Sequence, residues 1–385
     1  MDVLIQRSFL HERVNKMPTN TAAWLVTKQT KIEVKSAPYI RPREGEMVVK
    51  NHAVAINPLE WIIQAAGNVA YSWLKYPFIL GSDLAGEVVE VGEGVTRFAV
   101  GDRVLAHAVG TDKDRNSAAE GSFQEYTVVL AHMAAPIPDT LSYEKAAVLP
   151  LALSTAACSL FQKDHLALQY PSANPQPTGK TLLVWGGSTS VGCNAIQLAV
   201  AAGYEVVATA SPRNFDYVKK LGASQVFDYH SKTVVKDIIN AFAGKTSAGA
   251  IAIGKGSAEY CVDIICACSG NKFVSTASPA ISFANFTNSQ LPLIIFQLLS
   301  SNVSLQVKAL IGGIRTKFIF GSTLKDNEVS KVIYEDFLPT ALAEDRYVAA
   351  PDPYVIGSGL EYIQAAMDAQ RKGVSAKKVV VSLQV

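Results

Sequence analysis

The chain has 385 residues, 49% of them hydrophobic and 18% charged, with a formal net charge of +2. That length exceeds one ordinary core and points to two domains, while the apolar content excludes a disordered chain. The basic residues are scattered and form no stripe that would neutralise a run of phosphates, so a nucleic-acid partner is not expected.

Residues 1–20 carry mixed charge without a sustained period and are expected to form a disordered extension ahead of the strand-like run Ala22 to Thr27. From Thr21 to Val129 short β-rich runs alternate with turn residues: Met47 to Ile56, Leu84 to Val91, Arg103 to Ala108 and Phe123 to Leu130. This favours a β-barrel-like first domain. Ser142 to Phe161 reads as helical and leads into Tyr170 to Gly179, where four of ten residues are Pro or Gly, so a boundary is expected nearby. Thr181 to Trp185 then reads as a buried strand, Val191 to Ala202 as helix, Glu205 to Ala210 as strand, Asn214 to Leu221 as helix and Gln225 to Asp228 as strand. Strand and helix alternating at this spacing signal βαβ units and a parallel sheet.

Further on, Cys266 and Cys268 are placed on a strand after Asp263 with both thiols on one face, where small buried residues explain them as well as a redox role does. Leu291 to Leu299 is the most apolar stretch, but Gln297 breaks it and Ser300, Ser301 and Asn302 follow, so no membrane span is predicted. Hydrophobic strands are placed near Leu305 to Ile311 and Lys317 to Phe320. Val329 to Leu342 and Gly357 to Gln370 read as helices and Lys378 to Leu383 as a closing strand, and periodicity leaves open which domain they join. Five cysteines, none in CxxC spacing, and no apolar leader at the start point to a reducing, cytoplasmic protein.

The main chemical signal is Thr181-Leu-Leu-Val-Trp-Gly-Gly-Ser-Thr-Ser-Val-Gly192, a strand running into a glycine and hydroxyl turn that opens a helix. Free N–H groups at such a helix start, backed by the helix dipole, suit a pyrophosphate. Gly187, Ser188, Thr189, Ser190 and Val191 are the candidate contacts, with hydroxyls where many dinucleotide folds carry glycines. The second strand ends in Ala208-Thr-Ala-Ser-Pro-Arg-Asn214, without the acid that would hold a ribose 2′-hydroxyl. Ser211 and Arg213 suit a 2′-phosphate instead, which favours NADPH over NADH.

Gly81-Ser-Asp-Leu-Ala-Gly-Glu-Val-Val-Glu-Val-Gly92, Phe98-Ala-Val-Gly-Asp-Arg-Val104, Gly121-Ser-Phe-Gln-Glu-Tyr126 and Ala146-Ala-Val-Leu-Pro150 occur in that order. Together they resemble the medium-chain dehydrogenase/reductase superfamily from about Ala22 to Leu383. The resemblance implies an α/β architecture, with a GroES-like β-barrel catalytic domain over 21–165 and an inserted Rossmann domain, a doubly wound parallel sheet, over 166–320. A C-terminal segment, 321–385, would return to the catalytic domain. Trp185 to Gly192 and Ser211 to Asp216 look most like fungal trans-acting enoyl reductases that partner polyketide synthases. By that resemblance Ser188 to Val191 match the diphosphate turn, Ser211, Arg213 and Tyr229 the 2′-phosphate pocket, and Thr155 a residue near the nicotinamide amide.

Asn57 falls where zinc alcohol dehydrogenases carry their first cysteine ligand, and Gly81-Ser-Asp83 replaces their Gly-His-Glu string. A catalytic zinc needs about three Cys, His or carboxylate ligands, and the sequence offers no such set; His52 and His107 read as packing or hydrogen-bonding residues. Hydride addition to an activated double bond is the simplest chemistry without a Lewis acid. Asn57 is the candidate polar contact at the reacting groups, and the resemblance to enoyl reductases, which place a tyrosine in the loop after the Asn-Pro string, implies Tyr71 as the candidate proton donor; Val69 is the alternative occupant of that position. Tyr71 also reads as lining, with Trp61, Trp73 and Tyr76. The expected activity is NADPH-dependent reduction of an enoyl thioester or alkenal, by a monomer or homodimer. Quinone reduction and a non-catalytic NADPH-binding role are the alternatives.

Overall fold

A computed structural model describes residues 18–69, 71–278 and 291–384. The expected extension lies almost wholly outside them, except that its last residue, Asn20, already opens a strand. The first part of the chain forms β1 (Asn20–Leu25), β2 (Glu33–Ala37), β3 (Glu46–Ala55), helix α1 (Pro58–Ala66), β4 (Phe78–Ile79), β5 (Asp83–Val91), β6 (Arg103–His107), β7 (Tyr126–Leu130) and β8 (Ala134–Pro136). These are the short runs separated by turns that the sequence shows, and their apolar residues fill one core with Leu25, Met47, Val49, Val54, Leu84 and Phe123.

Two helices follow, α2 (Tyr143–Ala146) and α3 (Pro150–Phe161). Helix α3 is apolar all round because both of its sides are covered: it packs on α4 (Ser190–Ala201), and its core joins residues of both large sheets, among them Ala53, Leu105, Leu182 and Val184. Its composition and length alone would suit a membrane, but the stretch Tyr143–Phe161 is 83% buried inside the protein.

The second part alternates β9 (Lys180–Trp185), α4, β10 (Glu205–Ala210), α5 (Phe215–Lys220), β11 (Gln225–Asp228), α6 (Val234–Ala241), β12 (Thr246–Ala252), α7 (Ser257–Ala267), β13 (Ser269–Gly270), β14 (Phe273–Thr276), α8 (Leu291–Ile311) and β15 (Arg315–Phe318). The strands are parallel in the order β11-β10-β9-β12-β14-β15, with β13 beside β12. This is the doubly wound arrangement, whose order reverses between β9 and β12, where dinucleotides lie. The chain closes with α9 (Val329–Lys331), a π-helical turn (Val332–Phe337), α10 (Leu338–Ala343), β16 (Pro353–Ser358), α11 (Ile363–Lys372) and β17 (Lys378–Ser382). Strand β17 pairs antiparallel with β3, and β16 adds to its far side, so the chain end is built into the first sheet. We keep 21–165, 166–320 and 321–385 as the proposed division.

Three local expectations change. The stretch from Asp263 to Ala267 is helix, with Cys266 exposed and Cys268 buried, so the two thiols do not share a strand face. Leu305 to Ile311 is the end of α8, because that segment packs one side on α7 and β15 and gains no strand partner. Helix α8 also continues through Ser300–Asn302, so its stretch Pro292–Ile311 is long and apolar enough, by length and composition, to cross a membrane, and only 17% of it is buried. Its inward residue Ile294 is buried in the catalytic-domain core.

Candidate functional site

The turn after β9 is held from several sides. The Gly187 N–H donates to the Thr209 carbonyl (2.7 Å) and the Gly186 N–H to the Thr209 hydroxyl oxygen (3.0 Å), which pins the turn to β10. Thr189 caps α4: its hydroxyl donates to the Gly186 carbonyl (2.8 Å) and accepts from the Gly192 N–H (3.0 Å). That hydroxyl proton is therefore committed to the turn, leaving the backbone N–H groups of the first helical residues, Ser190 and Val191, for an anion. A side chain at Gly192 would put its Cβ 2.2 Å from the Gly186 carbonyl oxygen. Gly192→Ala should accordingly open the turn and weaken binding of a nicotinamide dinucleotide by about tenfold or more, as read by calorimetric titration; unchanged affinity would separate this turn from the cofactor.

Ser188 accepts a hydrogen bond from the Asn214 amide (3.4 Å), which also donates to the Ser375 hydroxyl (3.2 Å). Asn214 and Ser375 thus join the turn although sequence reading did not select them. Asn214 lies in the quoted string after β10, but Ser375 arrives from the opposite end of the chain and carries no local signal. At the ends of β10 and β11, Ser211 and Tyr229 meet through their hydroxyls (3.2 Å), with Arg213 in the short turn Pro212–Asn214 between them in sequence. Asp216 lies inside α5, and Asp228, the acid that ends β11, sits 3.3 Å from His230 Nδ1. These groups suit a dinucleotide: a glycine cradle, a capped helix start, and two hydroxyls that meet at the strand ends with an arginine in the turn between them in sequence.

At the other end, Thr155 lies on α3 with its hydroxyl donating to the Leu151 carbonyl (2.7 Å), and the backbone of Gly321 is so close that a Cβ there would stand 2.5 Å from Thr155 Oγ1. Asn57 caps the approach to α1 but does not face an open pocket. It is buried; its amide donates to Asp83 Oδ2 (2.9 Å), its carbonyl accepts from the Lys378 ammonium, and its backbone N–H donates to Glu60 Oε2 (2.7 Å). Lys378 Nζ also lies 2.8 Å from Asp83 Oδ2, and Asp83 Oδ1 accepts from the Leu151 N–H (2.6 Å). Asn57 therefore has no polar end to spare for a substrate and acts as a strut between α1, β5 and β17. Burial, then the neighbouring Asp83, pushes the Glu60 carboxyl up to about 7.

A zinc ion does not fit this cluster. Where a metal would need several free anionic or imidazole ligands, the chain supplies an amide, the Asp83 carboxylate already neutralised by a lysine, and Glu60, whose carboxyl is spent on the Asn57 N–H. Among the described residues no group of three or more His, Cys, Asp or Glu is arranged to hold a metal. His52 stacks on Tyr143 (4.5 Å between ring centres), and His107 bonds to Ser154.

Tyr71 follows α1 and packs beside Trp73 (5.0 Å between ring centres). Burial and the charges of Asp112 and Glu60 push its phenol up, so it stays protonated through the physiological range. Its hydroxyl has no hydrogen-bond partner among the described residues. Asp112 ties this loop region to the 321–326 turn through Lys325 (3.3 Å), and the same turn packs on Thr155. Val69 is exposed in the turn Gly67–Val69. The thiol of Cys158, buried on α3, is pushed up to about 12 by burial and is not a nucleophile.

The sequence matches the family descriptions Alcohol dehydrogenase GroES-like domain over residues 43–139 and Zinc-binding dehydrogenase over residues 190–285. It is 53% identical to the "Dehydrogenase pigH" of Monascus ruber over 95% of this chain and all of that protein. It is 37% identical to the "Trans-enoyl reductase himH" of Aspergillus japonicus over 94% of this chain and 97% of that one. The fold matches the solved CurK enoyl reductase with a TM-score of 0.70 at 17% identity, over 95% of this chain and 99% of the other. With its barrel-type first domain, its doubly wound second domain and its glycine turn, the chain belongs to the medium-chain dehydrogenase/reductase superfamily and is an oxidoreductase of that family.

Proposed function

We propose that the protein reduces an activated carbon–carbon double bond, in an enoyl thioester or alkenal, with NADPH as hydride source and without a metal. The observation that carries this reading is Tyr71, a phenol held protonated, with a hydroxyl that has no partner among the described residues, in a region tied through Asp112 and Lys325 to the turn that packs on Thr155. NADPH, when bound, supplies the hydride. The helix start at Ser190 and Val191 holds the diphosphate, Ser211, Arg213 and Tyr229 the 2′-phosphate, and Thr155 orients the nicotinamide end. Tyr71 then gives the proton that completes the reduction, at the α-carbon, and Asn57 keeps α1 in place beneath it. The strand end after β10 without a carboxylate supports the choice of NADPH, since an acid there would repel a phosphate dianion. The likeness to fungal trans-acting enoyl reductases supports a substrate chain carried by a polyketide synthase, and five free cysteines suit a reducing cytoplasm.

The test is NADPH oxidation, followed at its absorbance band, with a crotonyl thioester, a 2-alkenal and a quinone in parallel and again with NADH. Turnover of the thioester or alkenal with a preference for NADPH is expected. Tyr71→Phe should lower kcat by about 10²-fold while leaving NADPH affinity unchanged. Turnover of the quinone alone, or full activity in Tyr71→Phe, would overturn the reading.

A further inference from the structure

The function proposed above makes no use of a buried polar chain that links the C-terminal segment to the catalytic sheet. Tyr334, in the π-helical turn, donates its hydroxyl proton to the Pro150 carbonyl (3.0 Å) and lies 2.8 Å from Ser154 Oγ; Ser154 Oγ lies 2.9 Å from His107 Nδ1. Tyr334 and Ser154 are fully buried and His107 is 2% exposed.

Proton counting assigns every donor in this chain. Tyr334 has one proton, and the Pro150 carbonyl can only accept it, so toward Ser154 the phenol oxygen is an acceptor. Ser154 therefore spends its single proton on Tyr334, and its oxygen accepts from His107 Nδ1–H. Burial drives the His107 ring down to about 4, so it is neutral and carries one ring proton. That proton is on Nδ1, which leaves Nε2 as a bare acceptor. Nε2 has no hydrogen-bond partner among the described residues, and His107 keeps 2% of its surface exposed. The chain ends on a carbonyl, which passes no proton onward. It is an orienting device and not a relay.

A bare acceptor needs a donor. The reacting end of an enone or enoyl thioester offers a carbonyl oxygen, itself an acceptor, whereas the carboxamide of a nicotinamide offers two N–H groups. Ser154 stands next to Thr155, the residue proposed for the nicotinamide end, whose own hydroxyl proton is spent on Leu151. We propose that His107 Nε2 accepts a hydrogen bond from the carboxamide N–H of the bound dinucleotide, with Ser154 and Tyr334 as positioning residues that set its tautomer. This rests on the dinucleotide reading of the site and adds to it a residue that fixes the rotation of the amide.

Two measurements test it on the full chain. In long-range proton–nitrogen spectra of protein labelled at histidine, with His107→Leu identifying the signal, His107 should show the Nδ1–H tautomer. Ser154→Ala should move it to Nε2–H; a wild-type Nε2–H ring, or no change in Ser154→Ala, overturns the assignment. In calorimetric titrations, His107→Leu should weaken NADPH about tenfold but leave unchanged the binding of the 3-acetylpyridine analogue, in which a methyl ketone replaces the amide. His107→Gln, which offers an oxygen acceptor, should recover most of the loss. Equal losses for both ligands, or none for either, overturn the carboxamide contact while the dinucleotide reading stands. A wild-type chain that binds neither ligand defeats both.

Discussion

Lys378→Met should lower the free energy of unfolding by about 3–5 kcal/mol, the cost of leaving a buried charge without its partner. Asp83 is 0% exposed and Lys378 4%, so no water replaces the lost ammonium. Two donors stay with Asp83, the Leu151 N–H and the Asn57 amide, which are too few to hold a carboxylate charged in an apolar core. The Asn57 carbonyl loses its donor as well. Because whole domains are stable by only about 5–15 kcal/mol, the variant should unfold at a much lower denaturant midpoint. Adding Asp83→Asn removes the stranded charge, so the double variant should be more stable than Lys378→Met alone. Chemical unfolding of the wild type, Lys378→Met, Asp83→Asn and the double variant measures this coupling. Additive losses would mean that the two residues do not act as a pair.

The pH dependence of stability should likewise change sign between two single variants. Burial and Asp83 raise the Glu60 carboxyl from 4.5 to about 7, so its contribution is fully present below pH 4.5 and is lost as pH rises through 7. Burial lowers His107 from 6.5 to about 4, so its contribution is present above pH 6.5 and is lost as pH falls through 4. Each effect is worth about 3 kcal/mol, and between pH 4.5 and 6.5 the two slopes oppose and largely cancel. Glu60→Gln keeps a group able to accept the Asn57 N–H but cannot ionise; in it, stability should climb with pH from 4 to 6.5. In His107→Gln stability should fall as pH rises from 4.5 to 7. Unfolding midpoints across pH 4 to 8 decide the matter, and parallel profiles in the two variants would show that neither group carries the shift assigned to it.

Much of the second domain was legible because its signals are local. A strand buried on both faces needs a continuous apolar run, and β9 has one; a tight turn into a helix needs glycines and a cap, and Gly186, Thr189 and Gly192 provide them. The hydroxyls around that turn were legible as residues but not as roles. Thr189 turned out to hold the helix start, because its hydroxyl donates to the Gly186 carbonyl and accepts from the Gly192 N–H. The failures at Cys266–Cys268 and Leu305–Ile311 share one cause. Short apolar runs have no period that separates strand from helix, and neighbours made the choice: α7 and β15 pack against the later part of α8, where Leu305 and Ala309 turn inward.

By itself, then, the sequence determined the superfamily pattern, the glycine and hydroxyl turn that opens a helix, and the strand end without an acid, since each depends on residue types within one short segment. The tertiary structure alone decided that β17 joins β3, which carries Lys378 to Asn57 and Asp83 across roughly three hundred residues. It also brought Ser375 to the cofactor turn and Tyr334 to Ser154 and His107. Contacts of this kind leave no period in the chain, because what selects them is the need of a buried donor or charge for a partner, and that need arises only once the core has closed around it.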